Sequence, residues 1–250
     1  SSTQVQITVA ASAPTLYYYC TIHSGMGGQV NTNSTLGSSN FDGSIQSTVK
    51  VNATAGFSIT KYTGTGSTAT VGHGLGVAPD VLIVKNRDDT NSWNVYHAGN
   101  AGSTPAEDFV IYLDQTSAKV NQSSNWNDTA PTSSVFTVGS SNGSNGSSDD
   151  MIAYCFSSVA GYSKFGSYDG NNNADGTFVF TGFRPAWVMI KRYETTRDWI
   201  IYDNKRSTFN VIDDFLEPNN STTEQTSSSR NVDYIYLAFA ESPFKNARAR

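Results

Sequence analysis

Charge is scarce in this chain: only 15% of its 250 residues are Asp, Glu, Lys or Arg, against about a quarter in an ordinary soluble domain. Neither sign is concentrated. There are 16 Lys and Arg against 21 Asp and Glu, a net charge of −5. No basic cluster is present to neutralise phosphates, which argues against nucleic acid as a partner. Lys245, Arg248 and Arg250 read as a solvated or interface tail. The longest apolar runs fall well short of the roughly 18 residues a spanning helix needs, so no membrane insertion is expected. Ser1 to Ala13 lack the charged lead and long apolar core of a signal peptide. Cysteine is limited to Cys20 and Cys155. Two thiols make no disulfide framework, although a single bridge between them is neither required nor excluded. The main helix formers Ala, Leu, Glu and Lys are sparse or scattered, which disfavours a helical fold.

Ser, Thr, Asn and Gly fill the space instead, together with 13 Tyr, 13 Phe and many Val, Ile and Thr. Aromatic and β-branched residues favour strands. Their abundance also excludes a disordered chain, which could not supply so much apolar surface. A surface of hydroxyls and amides with few charges suits an extracellular β-protein.

A duplication organises the sequence. Pro79, Lys85, Trp93 and Tyr96 recur as Pro185, Lys191, Trp199 and Tyr202, all 106 positions later. Gly56 and Gly161 are 105 apart, which implies one residue inserted in the loop between these glycines and the prolines. Met151–Phe156 corresponds to Tyr234–Phe239 at a spacing of 83, so the second copy has lost roughly 23 residues of its middle. Two copies of about 100 residues are neither a solenoid nor a propeller, which repeat shorter units more often. They read as two related β-units, packed as paired sandwiches or as one larger sandwich.

Short apolar or alternating runs separated by Asn, Gly and Ser predict the strands. In the first unit these are 81–85, 93–97, 109–113, 135–138 and 151–156; in the second, 178–180, 187–192, 199–202 and 232–240. Val5, Ile7 and Val9 alternate, and 16–20 makes another strand; 31–40 reads as a polar linker and 41–55 as the lead-in to the repeat. Residues 139–148, with Asn-Gly at 142–143 and 145–146, read as a flexible loop. A helix is expected only at 211–216. The fold expected is therefore all-β: duplicated antiparallel, jelly-roll-like sandwich units at 51–160 and 161–250, after a short β extension at 1–50.

Several blocks carry a resemblance. Phe41-Asp42-Gly43-Ser44-Ile45, Gly72-His73-Gly74-Leu75-Gly76-Val77-Ala78-Pro79, Gly182-Phe183-Arg184-Pro185-Ala186-Trp187 and Ala238-Phe239-Ala240-Glu241-Ser242-Pro243-Phe244 resemble a domain common in tail and virion proteins of marine phages, cyanophages especially. The resemblance covers about residues 41–250. It implies a virion structural role, outside the cell and without a defined activity: a tail-fibre, adhesin or decoration component that assembles with copies of itself and other virion proteins and contacts a host-surface glycan. Tyr17-Tyr18-Tyr19-Cys20-Thr21-Ile22-His23-Ser24-Gly25-Met26 is similar to the closing ligand loop of cupredoxins, a module that also recurs in phage structural proteins.

Each candidate site has a structural alternative. Cys20, His23 and Met26 supply three of the four ligands of a blue-copper centre. No second imidazole precedes them, since His73 and His97 lie in another unit, so the sequence favours a remnant loop with no metal and no cofactor. Gly72-His73-Gly74-Leu75-Gly76 lacks the Lys-Ser/Thr ending of a phosphate loop and reads as a glycine turn. Trp93, Tyr96, Trp199 and Tyr202 can stack on sugars, but alternation places Trp and Tyr on opposite sheet faces, which favours core packing. The acid pairs Asp88-Asp89, Asp149-Asp150 and Asp213-Asp214 lack the spacing of a calcium loop. No nucleophile elbow is present, so no enzyme is expected. The rival readings are a carbohydrate-binding module, a bacterial filament subunit assembled by strand exchange through Val5–Val9, and a polysaccharide depolymerase using two carboxylates.

Overall fold

A computed structural model describes residues 37–100, 104–171, 173, 176–207, 212–226 and 233–242, and the backbone of two further strands, β1 (Leu16–Tyr19) and β2 (Gly27–Val30), which pair antiparallel. The segment Val5–Val9, the residues Cys20, His23 and Met26, and the basic residues after Lys245 lie outside the described residues.

The first unit contains β3 (Ser38–Asn40), β4 (Ser47–Asn52), β5 (Phe57–Thr63), β6 (Ala69–Gly72), β7 (Val81–Asn86), β8 (Asn94–His97), β9 (Phe109–Tyr112), β10 (Val120–Asn121), α1 (Ser123–Trp126), β11 (Val135–Val138), α2 (Asn142–Asn145) and β12 (Asp150–Phe156). The second contains β13 (Ser163–Tyr168), β14 (Pro185–Arg192), β15 (Trp199–Asp203), β16 (Asp214–Phe215), β17 (Gln225–Thr226) and β18 (Tyr234–Ala240). Among the described residues strand makes up 42% and helix 9%, so the chain is all-β with antiparallel, sandwich-like sheets.

The duplication is visible in the ladders. The eight-stranded sheet of the first unit runs β10-β9-β8-β7-β12-β5-β4-β3, and the four-stranded sheet of the second runs β13-β18-β14-β15. The central order β8-β7-β12-β5 is thus repeated as β15-β14-β18-β13. Register is kept as well: Leu82 opposes Tyr96 and Val188 opposes Tyr202, while Cys155 opposes Leu82 and Ala238 opposes Val188. Phe57 opposes Phe156 and Ser163 opposes Phe239, so the 106-residue spacing already holds at the first strand. The inserted residue therefore sits at Tyr162, between Gly161 and the start of β13, earlier than the loop expected to hold it.

Strand alternation sends one set of side chains to each face. From the first unit, Val81, Val95, Ile111 and the half-buried Phe156 face the second; from the second, Phe165, Met189, Trp199, Ile235 and Leu237 face back, and together they form one core. Equivalent faces of the two copies therefore pack on each other as one larger sandwich. The opposite face of the first sheet is also buried. Tyr62, Leu82, Val84, Tyr96, Met151 and Cys155 lie beneath the two-stranded β6–β11 sheet and α1, which contribute Val71, Phe136, Val138 and Trp126. Phe136 meets Tyr62 edge-on at 6.0 Å and Trp126 meets Tyr96 edge-on at 6.3 Å.

Four expectations differ from the structure. The linker expected at 31–40 and the lead-in at 41–55 are not separate where they are described, because β3 and β4 extend the first sheet by pairing onto β5. The stretch 139–148 is no flexible loop: it is held by α2, whose Asn145 is fully buried. The Asn145 amide accepts from Thr65 N at 2.8 Å and donates to the Ser67 and Gly139 carbonyls, both at 2.7 Å. Asn145→Ala removes all three hydrogen bonds, depriving the part-buried Thr65 N–H and the buried Gly139 carbonyl of their partner while the Ser67 carbonyl keeps the Thr65 hydroxyl at 2.9 Å, and a loss of roughly 2 kcal/mol of unfolding free energy is expected in urea titration. The helix expected at 211–216 is not formed by the residues described there. Asp214–Phe215 pairs with Gln225–Thr226, and Leu216 bridges Ile201. Finally, Phe178–Phe180 forms no strand, and Phe178 and Phe180 are 88% and 78% exposed.

Candidate functional site

The four repeated aromatics do not form one exposed platform. Trp199 is fully buried in the core between the sheets, and its indole N–H donates to the Tyr112 carbonyl at 2.8 Å. Tyr96 is buried on the opposite face of the first sheet. Neither can present a ring face to a sugar, which corrects their candidacy as glycan contacts. Trp93 is half-buried and stacks on Tyr154 at 6.3 Å. Tyr202, also half-buried, packs near Phe215 at 5.8 Å and lines an open groove.

The repeated lysines are hairpin staples, a role the sequence reading did not assign. Lys85 Nζ donates to the carbonyls of Asp89 and Asn91, closing the β7–β8 turn. Lys191 Nζ donates to the carbonyl of Arg197, the position equivalent to Asn91, and to that of Thr116 at 2.9 Å. Burial lowers the Lys191 ammonium pKa to about 8, against the opposing pull of Asp198. The spacing of 106 between the two lysines was the available signal.

Other ionisable groups are likewise committed to the fold. His97 accepts from Gly99 N at Nδ1 (3.0 Å), which leaves Nε2 to donate to the Tyr236 carbonyl at 3.1 Å across the unit boundary. His73 accepts from Leu75 N at Nδ1 and donates from Nε2 to the Thr132 carbonyl. Burial lowers the pKa of both imidazoles, that of His97 to about 4, against the Tyr236 carbonyl and Asp80; the Thr132 carbonyl and Asp42 oppose it at His73. Burial pushes the Cys155 thiol up to about 12, against the neighbouring Ser58 and Thr60 hydroxyls, so it stays a neutral thiol. Asp149 accepts from Asn86 Nδ2 at 2.7 Å and Asp88 from Asp150 N at 2.6 Å, as turn-stabilising carboxylates do. Among the described residues no group of three His, Cys, Asp or Glu is placed to hold a metal, and no helix is long and apolar enough to cross a membrane.

The feature left over is the outer face of the second sheet. It bears Tyr168, Val188, Ile190, Tyr202 and Ala238, which by ladder position are the counterparts of Tyr62, Leu82, Val84, Tyr96 and Cys155. In the first unit those residues lie under the two-stranded β6–β11 sheet and α1. In the second, the missing residues fall where that cover would be. Ile201 bridges Leu216 as Val95 pairs with Ile111, so Leu216 stands for Ile111. From Ile111 to Met151 the chain advances 40 positions, and from Leu216 to Tyr234 only 18. The β9–β10 pair survives as β16–β17, where Gln225 opposes Phe215 as Val120 opposes Val110, so the shortening removes the stretch that in the first unit builds α1, β11 and α2. Among the described residues no layer equivalent to β11 and α1 lies over this face, and a groove of about 530 Å³ opens there.

The groove is walled by aromatic and aliphatic side chains, with Thr177, Val179 and Thr181 along one side and Arg184, Asp203 and Asn204 among its polar groups. Burial alone would raise the Asp203 pKa, but backbone N–H groups of Lys205 and Arg206 and the Arg206 guanidinium at 2.8 Å hold it below the usual carboxylate range. It is the one carboxylate among the described lining residues, so the groove does not assemble the acid pair that glycoside hydrolysis uses. Its geometry suits docking of an apolar or aromatic group.

No curated protein and no solved structure matches the chain at a significant level. Residues 31–235, which include the first unit and most of the second, match a family described as a domain of unknown function (DUF7483), and the chain belongs to that family.

Proposed function

We propose that this chain is a non-catalytic structural protein of a bacteriophage particle, a tail-fibre, adhesin or outer decoration component that docks onto copies of itself or other virion proteins and touches the host surface. The observation that carries the docking reading is the contrast between the two units. His73, His97, Lys85, Lys191 and Cys155 are consumed in holding the fold, whereas the outer face of the second sheet offers an accessible apolar groove. The viral setting rests on the sequence resemblance over residues 41–250. A surface low in charge supports it, because contacts that owe little to exposed ion pairs are weakly screened by salt.

A second reading has its own observation. Tyr168, Tyr202 and Tyr236 beside Asp203 and Asn204 combine ring faces with polar groups, as carbohydrate sites do. Immunogold electron microscopy with an antibody to the chain separates the settings. Labelling of a tail or the outer surface of a virus particle is expected. Labelling confined to a bacterial filament, or found only on free secreted protein, overturns the virion assignment.

A further inference from the structure

The segment Thr177–Thr181 forms no strand and pairs with none among the described residues. Its odd positions turn toward the groove and its even positions, Phe178 and Phe180, turn to solvent. Among the described residues no backbone hydrogen bond reaches it. By the 106-residue spacing, His73 corresponds to Val179 and Gly72 to Phe178, so this segment continues the counterpart of β6. In the first unit β6 is paired: Phe136 of β11 opposes Val71, and His73 N donates to the Ser134 carbonyl at 3.2 Å. The second unit has lost the stretch that supplies β11. It keeps both the segment that β11 would pair with and the tyrosines, Tyr168 and Tyr202, whose counterparts hold Phe136 and Trp126.

The first unit therefore states the chemistry of what fits the second. We propose that the groove is completed by a β-strand donated by another polypeptide, with alternating apolar residues and a central aromatic, pairing antiparallel with Thr177–Thr181, from the place that β11 takes beside Val71–His73 in the first unit onward. This deepens the docking reading above and rests on it. Strand donation satisfies exposed backbone N–H and C=O groups and fills the pocket with alternate side chains at once. An unpaired segment carrying two solvent-facing phenylalanines is a surface that folded proteins otherwise protect.

The test uses the full chain and a synthetic peptide copying residues 132–140, Thr-Ser-Ser-Val-Phe-Thr-Val-Gly-Ser. Calorimetric titration is expected to give saturable binding. Peptide-dependent protection of amides 177–181 from hydrogen exchange reports the pairing. Val179→Arg, a change in an unpaired segment whose folding is checked by circular dichroism, is expected to weaken binding at least tenfold. A peptide with Ala in place of its Phe is expected to lose at least as much and leaves the protein untouched. No binding, or equal binding to wild type and Val179→Arg, overturns strand donation. Saturable binding of an oligosaccharide without peptide binding keeps the docking reading and overturns the strand. Loss of neither peptide binding nor particle assembly in Val179→Arg overturns both.

Discussion

Trp199→Ala is expected to lower the unfolding free energy by roughly 4 kcal/mol, the cost of emptying a large, fully buried aromatic site. The equivalent change Trp93→Ala is expected to cost about 1 kcal/mol, since a half-exposed ring forfeits less burial and leaves no enclosed cavity. The two tryptophans occupy matching positions, so the difference measures their surroundings. Trp199 sits between the sheets among Val95, Ile111, Met189 and Ile235, and its indole N–H crosses to the Tyr112 carbonyl of the other unit. Removing it takes one of two donors from that carbonyl, which keeps Gln115 N at 3.4 Å, as well as opening a cavity. Urea unfolding followed by circular dichroism checks both numbers. Because the units share this core, one transition should persist in wild type and in Trp93→Ala. Equal losses at the two positions would contradict the shared core.

Stability is expected to fall by about 3 kcal/mol as pH drops from 6.5 toward 4, on account of His97 alone. In the folded chain its imidazole stays neutral down to about pH 4, whereas in the unfolded chain it takes a proton near its ordinary value of 6.5. Between those values the unfolded state binds more protons, so stability rises with pH through that window. The contribution is fully present above pH 6.5 and is lost as pH falls through the folded value. His73 acts in the same direction, because burial lowers its pKa too. Urea titrations at half-unit pH steps measure the slope, and His97→Gln is expected to remove most of it. An unchanged slope in that variant would show that His97 is not the buried neutral base described.

The sequence made the sheets legible because its signals were global. Pro79, Lys85, Trp93 and Tyr96 and their partners mark a register that the ladders keep residue for residue. Alternation correctly separated Trp from Tyr, placing Trp199 inside the sandwich and Tyr202 on the outer face. What failed was local propensity read without a partner. Phe178-Val179-Phe180 has strand composition, but a strand needs a neighbour to bond, and the residues that build the first unit's neighbour are missing from the second. The 211–216 pattern suggested a helix, yet Phe215 is drawn into the cluster beneath Tyr202 and Leu216 bonds Ile201. The Asn-Gly dipeptides of 139–148 signalled a loop, but Asn145 found three backbone partners and the segment became interior. The groove was half legible. The shortening could be counted from the spacing of 83, whereas its position after the Ile111 counterpart, and thus the identity of the missing cover, required the bridge between Ile201 and Leu216.

A crystal structure of the full chain bound to the 132–140 peptide tests most directly whether one copy of the unit is roofed and the other open. The expected density is an extended strand running antiparallel to Thr177–Thr181, its phenylalanine ring against Tyr168. Peptide bound elsewhere, or a groove already filled by the chain's own strand, would contradict it.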